Sequence, residues 1–306
     1  TGTNDGTSWI NAFTTLTTAI NYSSCIVNDT ILIAAGTYQE GEYVFNVAKT
    51  IKGGYPNGGG FQDVVTNRTI LDGNNSNRVF NTAHGTGTMY LEGLTIQNGD
   101  ATDNGAGVRS IGNIELNKVI VQNNTIFSSS AILEGGGIYS SEGSLTLINS
   151  EVKNNTLISE SYTSYSAAFG GGIYSNGAIF LTNSKVNNNT ISSSSADISG
   201  GGAGIFNRDN VTLINSEVNN NISSFADTSE GGGIYTTNNV TLINSQVNNN
   251  ASSSFNFSSR AGGIFTSGSG AVINIQNSIL WGNTKTEGGT TTLSEYEGGS
   301  LTANHS

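Results

Sequence analysis

Few side chains in this 306-residue chain can do acid–base or metal chemistry, and they do not recur in register. The chain holds 22 Asp and Glu, 11 Lys and Arg, two His and one Cys. Polysaccharide hydrolysis needs two convergent carboxylates, and the acids to examine are Glu40, Glu42, Asp63, Asp72 and Glu92. They are chosen because they lie in the less regular half of the chain. Proton abstraction by a lyase needs a basic residue beside an acid-bound calcium ion, and the basic residues here follow no pattern. Most repeats also lack an Asp at their corners. Asp100-Ala-Thr-Asp-Asn-Gly105 offers the carboxylates of Asp100 and Asp103 and the amide of Asn104 within five residues. Such a stretch either wraps calcium or makes an ordinary polar turn, and no twelve-residue calcium loop surrounds it. His84, in Ala83-His-Gly-Thr-Gly87, reads as a loop histidine, and His305 lies in the tail. No catalytic set is expected.

One set of side chains does recur. Tyr139, Tyr174, Phe206, Tyr235 and Phe265 each follow an aliphatic residue in a repeated phrase. The model phrase is Gly231-Gly-Gly-Ile-Tyr-Thr-Thr-Asn-Asn-Val-Thr-Leu-Ile-Asn-Ser-Gln-Val-Asn-Asn-Asn250, with copies at 135–155, 170–189, 202–221 and 262–283 and a weaker one at 105–124. By strand alternation these rings face away from the aliphatic core. They make either a flat stack on which sugars or a protein lie, or a surface covered by the Ser-rich arm as a satellite core. The covered arrangement is the better reading.

The elements that position them follow from the repeat. A period near thirty residues means a solenoid. Each copy has room for three short strands between Gly and Asn corners, and helical repeats are excluded by the spacing. The fold expected is an all-β, single-stranded parallel β-helix, its turns stacked about 4.8 Å apart. Three inward columns are predicted. They are Val108, Ile138, Ile173, Ile205, Ile234 and Ile264; Leu116, Leu147, Leu181, Leu213 and Leu242; and Ile96, Val121, Val152, Val186, Val218, Val247 and Leu280. Asn149, Asn183, Asn215, Asn244 and Asn277 are expected to form an amide ladder at one corner. Length variation falls between the Asn run and the next Gly run, which marks that arm as loops.

Residues 1–28 read as an N-terminal cap. Within it, 8–22 has helical spacing at Trp9, Ala12, Phe13, Leu16, Ala19 and Ile20, capped by Thr7 or Ser8. Irregular first rungs follow over 29–104, with a loop at 55–67. Regular repeats occupy 105–283, and a fading last rung occupies 284–306, after which the native chain is expected to continue.

Net charge is −11, which argues against nucleic acid and anionic membrane surfaces as partners. The single Cys25 excludes an internal disulfide framework, and no apolar run is long enough to span a membrane. Low Lys, Cys and Met with abundant Asn, Ser and Thr fit an exported bacterial surface protein. Asn-x-Ser/Thr sequons occur at Asn123, Asn154, Asn210, Asn221 and Asn239, and several of these Asn are expected in ladders. Thr residues do not recur as a regular Thr-x-Thr face of the kind that ice binding wants.

Three stretches carry a family resemblance. Asp5-Gly-Thr-Ser-Trp-Ile-Asn-Ala-Phe13, Asp29-Thr-Ile-Leu-Ile-Ala-Ala-Gly-Thr-Tyr38 and Ile51-Lys-Gly-Gly-Tyr55 resemble the opening of bacterial secreted right-handed parallel β-helix proteins of the pectate-lyase-like superfamily. The Gly-Gly-Gly-Ile-Tyr copies look like polymorphic outer membrane protein repeats, with Val-x-Asn-Asn in place of Phe-x-x-Asn. Asn277-Ser-Ile-Leu-Trp-Gly-Asn283 and Ser294-Glu-Tyr-Glu-Gly-Gly299 look like the last rungs of surface proteins with a choice-of-anchor segment. The resemblance implies the fold and export. It leaves activity open, because the fold hosts lyases, hydrolases, tailspikes and adhesins. The pectin-type catalytic motifs are missing.

The function expected is therefore a non-enzymatic extracellular adhesin or stalk. Its partner would be a host or neighbouring-cell glycan or protein, or further copies of itself. A polysaccharide-binding or polysaccharide-cleaving β-helix and a self-stacking filament subunit are the alternatives.

Overall fold

The computed structural model describes residues 2–22, 27–83, 85–130, 132–160, 166–193, 195, 198–256 and 258–304. Cys25, His84 and His305 lie outside these. The chain is 51% strand and 3% helix and winds into a β-solenoid of about eight turns. Five sheets run along it. Sheets A, B and C hold ten, nine and nine strands, and sheets D and E hold eight and five. In the turn from Ile138 the chain visits Ile138–Ser140 in C, Leu145–Ile148 in A, Glu151–Lys153 in B, Thr156–Ser159 in D and Ser166–Phe169 in E.

The predicted columns are the register of sheets A, B and C. Val108 pairs with Ile138, Ile138 with Ile173, Ile173 with Ile205, and so on to Ile264. The Leu column from Leu116 to Leu242 and the column from Ile96 to Leu280 align in the same way. Most of these side chains are completely buried and form one continuous core. Each fully buried aliphatic side chain contributes roughly 1.5–3 kcal/mol, so this filled bore is the main source of stability.

Three strands per turn account for the bore but not for the whole rung. The arm read as loops folds into sheets D and E, which enclose a second core of Ile126, Leu133, Leu157, Ala168, Ile191, Ile198 and Phe225. The reason lies in short alternations such as Thr156-Leu-Ile-Ser159, whose buried residues face sheet E. Length varies in the connection between D and E and also in that between C and A, which runs from two residues after Ser110 to five after Thr266.

The expected corner ladder forms in part and at the surface, and a second, buried ladder lies beside it. Asn149, Asn183, Asn215, Asn244 and Asn277 adopt left-handed backbone with φ of 48–50°, which Asn tolerates. Their amides are at the surface, where Asn183 Nδ2 donates to Asn149 Oδ1 at 3.3 Å and Asn215 Nδ2 to Asn183 Oδ1 at 3.2 Å. The buried ladder is a different column, Asn124, Asn155, Asn189, Asn221, Asn250 and Asn283, all 0% exposed. From Asn124 to Asn250 each Nδ2 donates to the Oδ1 of the Asn in the next turn at 2.9–3.0 Å, and Asn283 donates to Glu295. Each Oδ1 also accepts the backbone N–H of the Asn one turn earlier. The second amide proton goes to a sheet B carbonyl of the previous turn, as from Asn221 to Val186. Of the sequon residues, Asn221 belongs to this ladder.

The expected helix over 8–22 is broken. A 3-10 turn covers Trp9–Asn11 and an α-helix covers Leu16–Asn21. Ser8 makes no capping hydrogen bond, and Thr15 is the true N-cap, accepting from the Thr18 N–H. Glu40 reaches across to accept the N–H groups of Leu16 and Thr17 at 2.9 and 2.8 Å. β-Branched Thr14 and Thr15 disfavour a continuous helix, and the external carboxylate fixes where the second segment starts. Leu16 alone of this helix is buried, against the end of the bore.

Truncating the ladder should therefore cost far more than altering the surface corner. Asn221→Ala leaves the Asn189 amide groups and the Val186 carbonyl unpaired in the interior, a loss on the order of 2–4 kcal/mol. Asn215→Gly keeps the positive φ and should be within about 0.5 kcal/mol of the parent. Denaturant unfolding, with amide exchange of residues 186–250, checks both. Equal effects would remove the special standing given to the buried column.

Candidate functional site

The aromatic column lies in sheet C, one residue after the Ile column. Arg109, Tyr139, Tyr174, Phe206, Tyr235, Phe265 and Glu297 stack in register. The neighbouring Ile column occupies the bore, so strand alternation turns these rings outward. Tyr139 and Tyr174 are stacked at 5.5 Å, and Tyr174 and Phe206 at 5.1 Å with an interplanar angle of 2°. Above them Phe206 meets Tyr235 edge-on at 4.7 Å, and Tyr235 meets Phe265 at 5.2 Å.

Exposure decides between the two readings of this column. Tyr174, Phe206 and Phe265 are 1%, 3% and 3% exposed, while Tyr139 and Tyr235 are half-buried. An open platform is not what these rings form. The cover is a second in-register column, the last residue of each sheet E strand: Glu134, Phe169, Gly201, Glu230 and Arg260. Phe169 packs on Phe206 at 4.4 Å, and the Arg260 guanidinium lies over Phe265 at 5.2 Å. The rings thus form a seam between sheet C and the arm, outside both aliphatic cores.

Polar groups concentrate along this seam. The Arg208 Nε donates to the Tyr174 hydroxyl at 2.9 Å, and that hydroxyl donates to Asn176 Oδ1 at 2.9 Å. Arg208 also lies over the Phe206 ring at 5.9 Å. Glu134 Oε2 accepts from Asn104 Nδ2 at 3.0 Å, and the Glu134 N–H donates to Asn104 Oδ1 at 2.9 Å. The Tyr174 hydroxyl is within hydrogen-bond reach of the same carboxylate. Burial pushes the Glu134 carboxyl up, against the opposing effects of Tyr174, Arg208 and Asn104. Burial does the same to Glu230, which pairs with Arg260 at 3.5 Å. The phenols of Tyr139, Tyr174 and Tyr235 are raised by burial and by these carboxylates.

Glu134, Arg208 and Glu230 were not singled out by sequence reasoning. A signal was present: Glu-Gly-Gly-Gly-Ile-Tyr occurs at 134–139 and again at 230–235.

The other candidates are placed as follows. Asp103 is held by Arg78 and Arg109, and Asn104 by Glu134. Asp100 starts the first strand of sheet D, paired with Thr125. Glu40 caps the helix, Glu42 pairs with Arg78 at 2.9 Å, and Glu92 pairs with Lys52 at 3.0 Å. Asp63 accepts the Val65 and Thr66 N–H groups, and Asp72 accepts from Gln97, Asn98 and the Asn74 N–H. Each of these acids stabilises its own local structure. Among the described residues no cluster of three or more His, Cys, Asp or Glu is arranged to hold a metal ion. Nor is any helix among them long and apolar enough to cross a membrane. On the outer face of sheet A, Thr146, Phe180, Thr212 and Thr241 align in one column beside Ile148, Thr182, Ile214 and Ile243. Three Thr therefore stack around a Phe, and a regular Thr-x-Thr face is not formed.

No family model, curated protein or solved structure matches the chain.

The raised carboxyls set a pH dependence for the seam. A folded-state pKa above the unfolded value stabilises the fold in acid and loses that contribution as pH rises through the folded pKa. The sheet E edge should therefore be most protected below the ordinary Glu value of 4.5 and open more readily toward neutrality. Amide exchange at residues 132–135 and 229–231, corrected for intrinsic rates, should show this slope. Glu134→Gln with Glu230→Gln should flatten it. An unchanged slope in the double variant would assign the pH dependence to other groups.

Proposed function

We propose that this chain is a non-enzymatic extracellular β-helix, serving as the adhesive or stalk part of an exported bacterial surface protein. The observation that carries the proposal is the buried Asn column, which runs without interruption from Asn124 to Asn283. It cross-links successive turns at the join of the two cores, in addition to the backbone ladders. A coil so fastened resists bending and rung-by-rung opening, which is what a spacer or display scaffold requires. The acids of the first hundred residues support the same reading, because they cap, pair and close turns.

One observation favours a second reading, a β-helix that cleaves polysaccharide. Glu134, Tyr174 and Arg208 bring a carboxyl pushed upward, a phenol and a guanidinium together on one seam. Such a trio has the elements of acid–base work on a sugar polymer, and it stands on burial and hydrogen bonding alone.

A depolymerisation screen on the purified chain separates the two. Neutral and acidic polysaccharides, with and without calcium, should yield no new reducing ends and no unsaturated products. Cleavage of any polymer overturns the non-enzymatic reading. If Glu134→Gln and Arg208→Ala then abolish that cleavage while leaving the melting curve in place, the seam is its active site.

A further inference from the structure

The N-terminal cap does more than close the bore. Between its first twenty-two residues and the outer strand Thr30–Ala34 of sheet A lies a cleft of about 840 Å³. That size suits a small organic ligand. The break between Trp9–Asn11 and Leu16–Asn21 leaves Trp9 and Phe13 along its walls.

These rings are held in place by their backing. The Trp9 indole rests on Gly59, where a Cβ would collide with it, and on the Tyr55 ring at 5.5 Å. The Phe13 ring rests in the same way on Gly6 and meets Tyr22 at 5.1 Å. Both glycines have positive φ, so the backing is fixed by the backbone as well as by the missing side chain. The walls are thus preorganised aromatic surfaces.

The same cleft is lined by the carboxylate of Asp5. Its Oδ1 accepts the Thr7 N–H at 3.0 Å and the Thr7 hydroxyl at 2.6 Å, and its Oδ2 accepts the Thr3 hydroxyl at 2.7 Å. The hydroxyls of Thr7 and Thr3 hold its pKa down to about 2, so it is ionised throughout the physiological range. No arginine or lysine lines the cleft among the residues that define it. A fixed anion lining the same cleft as two aromatic rings, on a chain of net charge −11, attracts cations and repels anions. The lining also carries hydrogen-bonding groups at Thr7, Ser8, Thr15, Thr30 and Asn57 and a second carboxylate at Asp29, so discrimination against neutral sugars rests on charge.

We propose that this cleft is a binding site for an organic cation of the alkylammonium class, with the cationic head held by Asp5 and the rings of Trp9 and Phe13. This site is separate from the aromatic seam and goes beyond the scaffold role.

Trp9 gives the readout. The chain has two Trp, and the other, Trp281, is 66% exposed in the last strand of sheet B. In a Trp281→Phe background, Trp9 emission is titrated with tetramethylammonium chloride against sodium chloride at equal ionic strength. The neutral isostere 3,3-dimethyl-1-butanol and glucose serve as comparisons. The expected result is a saturable change with tetramethylammonium alone, weakened about tenfold by Asp5→Asn, as loss of one charge contact implies. If circular dichroism shows that Asp5→Asn disturbs the cap, Phe13→Leu decides instead, since it removes a ring, keeps the carboxylate and leaves an apolar side chain against Gly6. No saturable change, equal affinity for the neutral isostere, or insensitivity to the deciding variant would overturn the proposal.

Discussion

The constraint on which the rest of this structure depends is the close approach of a glycine to a buried amide. Each ladder Asn lies against the last glycine of a Gly run. A Cβ on Gly107, Gly137, Gly172, Gly204, Gly233 or Gly263 would come within 2.7–2.9 Å of the side-chain amide of Asn124, Asn155, Asn189, Asn221, Asn250 or Asn283. The two most regular features of the repeat, its glycines and its final Asn, are therefore one feature. The glycine makes room for the amide. The amide in turn satisfies backbone groups at a corner where the chain leaves the sheet B ladder. A fully bonded buried amide column is stabilising, whereas one missing member leaves several groups unpaired in a medium that water does not reach. This makes the ladder cooperative along the axis, and it ties the bore to the arm.

The second core shows what the arm gains from that tie. Its sheet D column runs Ile126, Leu157, Ile191, Ser223, Ser252, and its sheet E column runs Leu133, Ala168, Gly200, Ser229, Ser259. The lower turns pack aliphatic side chains. The upper turns replace them with hydroxyls bonded to one another, Ser229 to Ser223 at 2.8 Å, Ser252 to Ser229 at 3.0 Å and Ser259 to Ser252 at 2.8 Å. Phe225 sits at the change and fills the space that Gly200 leaves. Serine networks supply little hydrophobic driving force, so the upper arm owes its place to the backbone ladders and to the Asn column beside it.

The bore was legible in the sequence because its signal is local. A column of aliphatics at a fixed offset from a glycine run specifies inward strands without knowledge of what faces them. The arm was less legible for a physical reason. Its inward residues include Ser, Ala and Gly, which carry no hydrophobic pattern, and its connections vary in length. The same limit applied to the ladder. The Asn of Asn-Ser and the last Asn of the Val-x-Asn-Asn run look alike in sequence, and only the register shows which faces Gly and which faces water. Serine, at Ser150, Ser184, Ser216 and Ser245, carries the turn-to-turn backbone bond at the first of these corners. The aromatic column faces away from the bore and is covered by the arm, the arrangement that the sequence favoured over an open stack. The cap cleft had no sequence signal, since it arises where a helix pattern is interrupted by Thr residues and by a carboxylate twenty-four residues away.

The distribution of charge follows from this two-core plan. Four of the five arginines, Arg78, Arg109, Arg208 and Arg260, have their guanidinium groups engaged on the sheet C side, beside the seam or just before it. The seam is the one long junction where neither core supplies aliphatic packing on both sides. Rings fill it, and rings can be contacted by guanidinium groups without the desolvation that a bare aliphatic surface would impose. Glu134 and Glu230 then balance the arginines and bind the arm's last strand across the junction. Burial raises both carboxyls, so the arm's last strand is held less firmly across the seam when they are ionised than in acid.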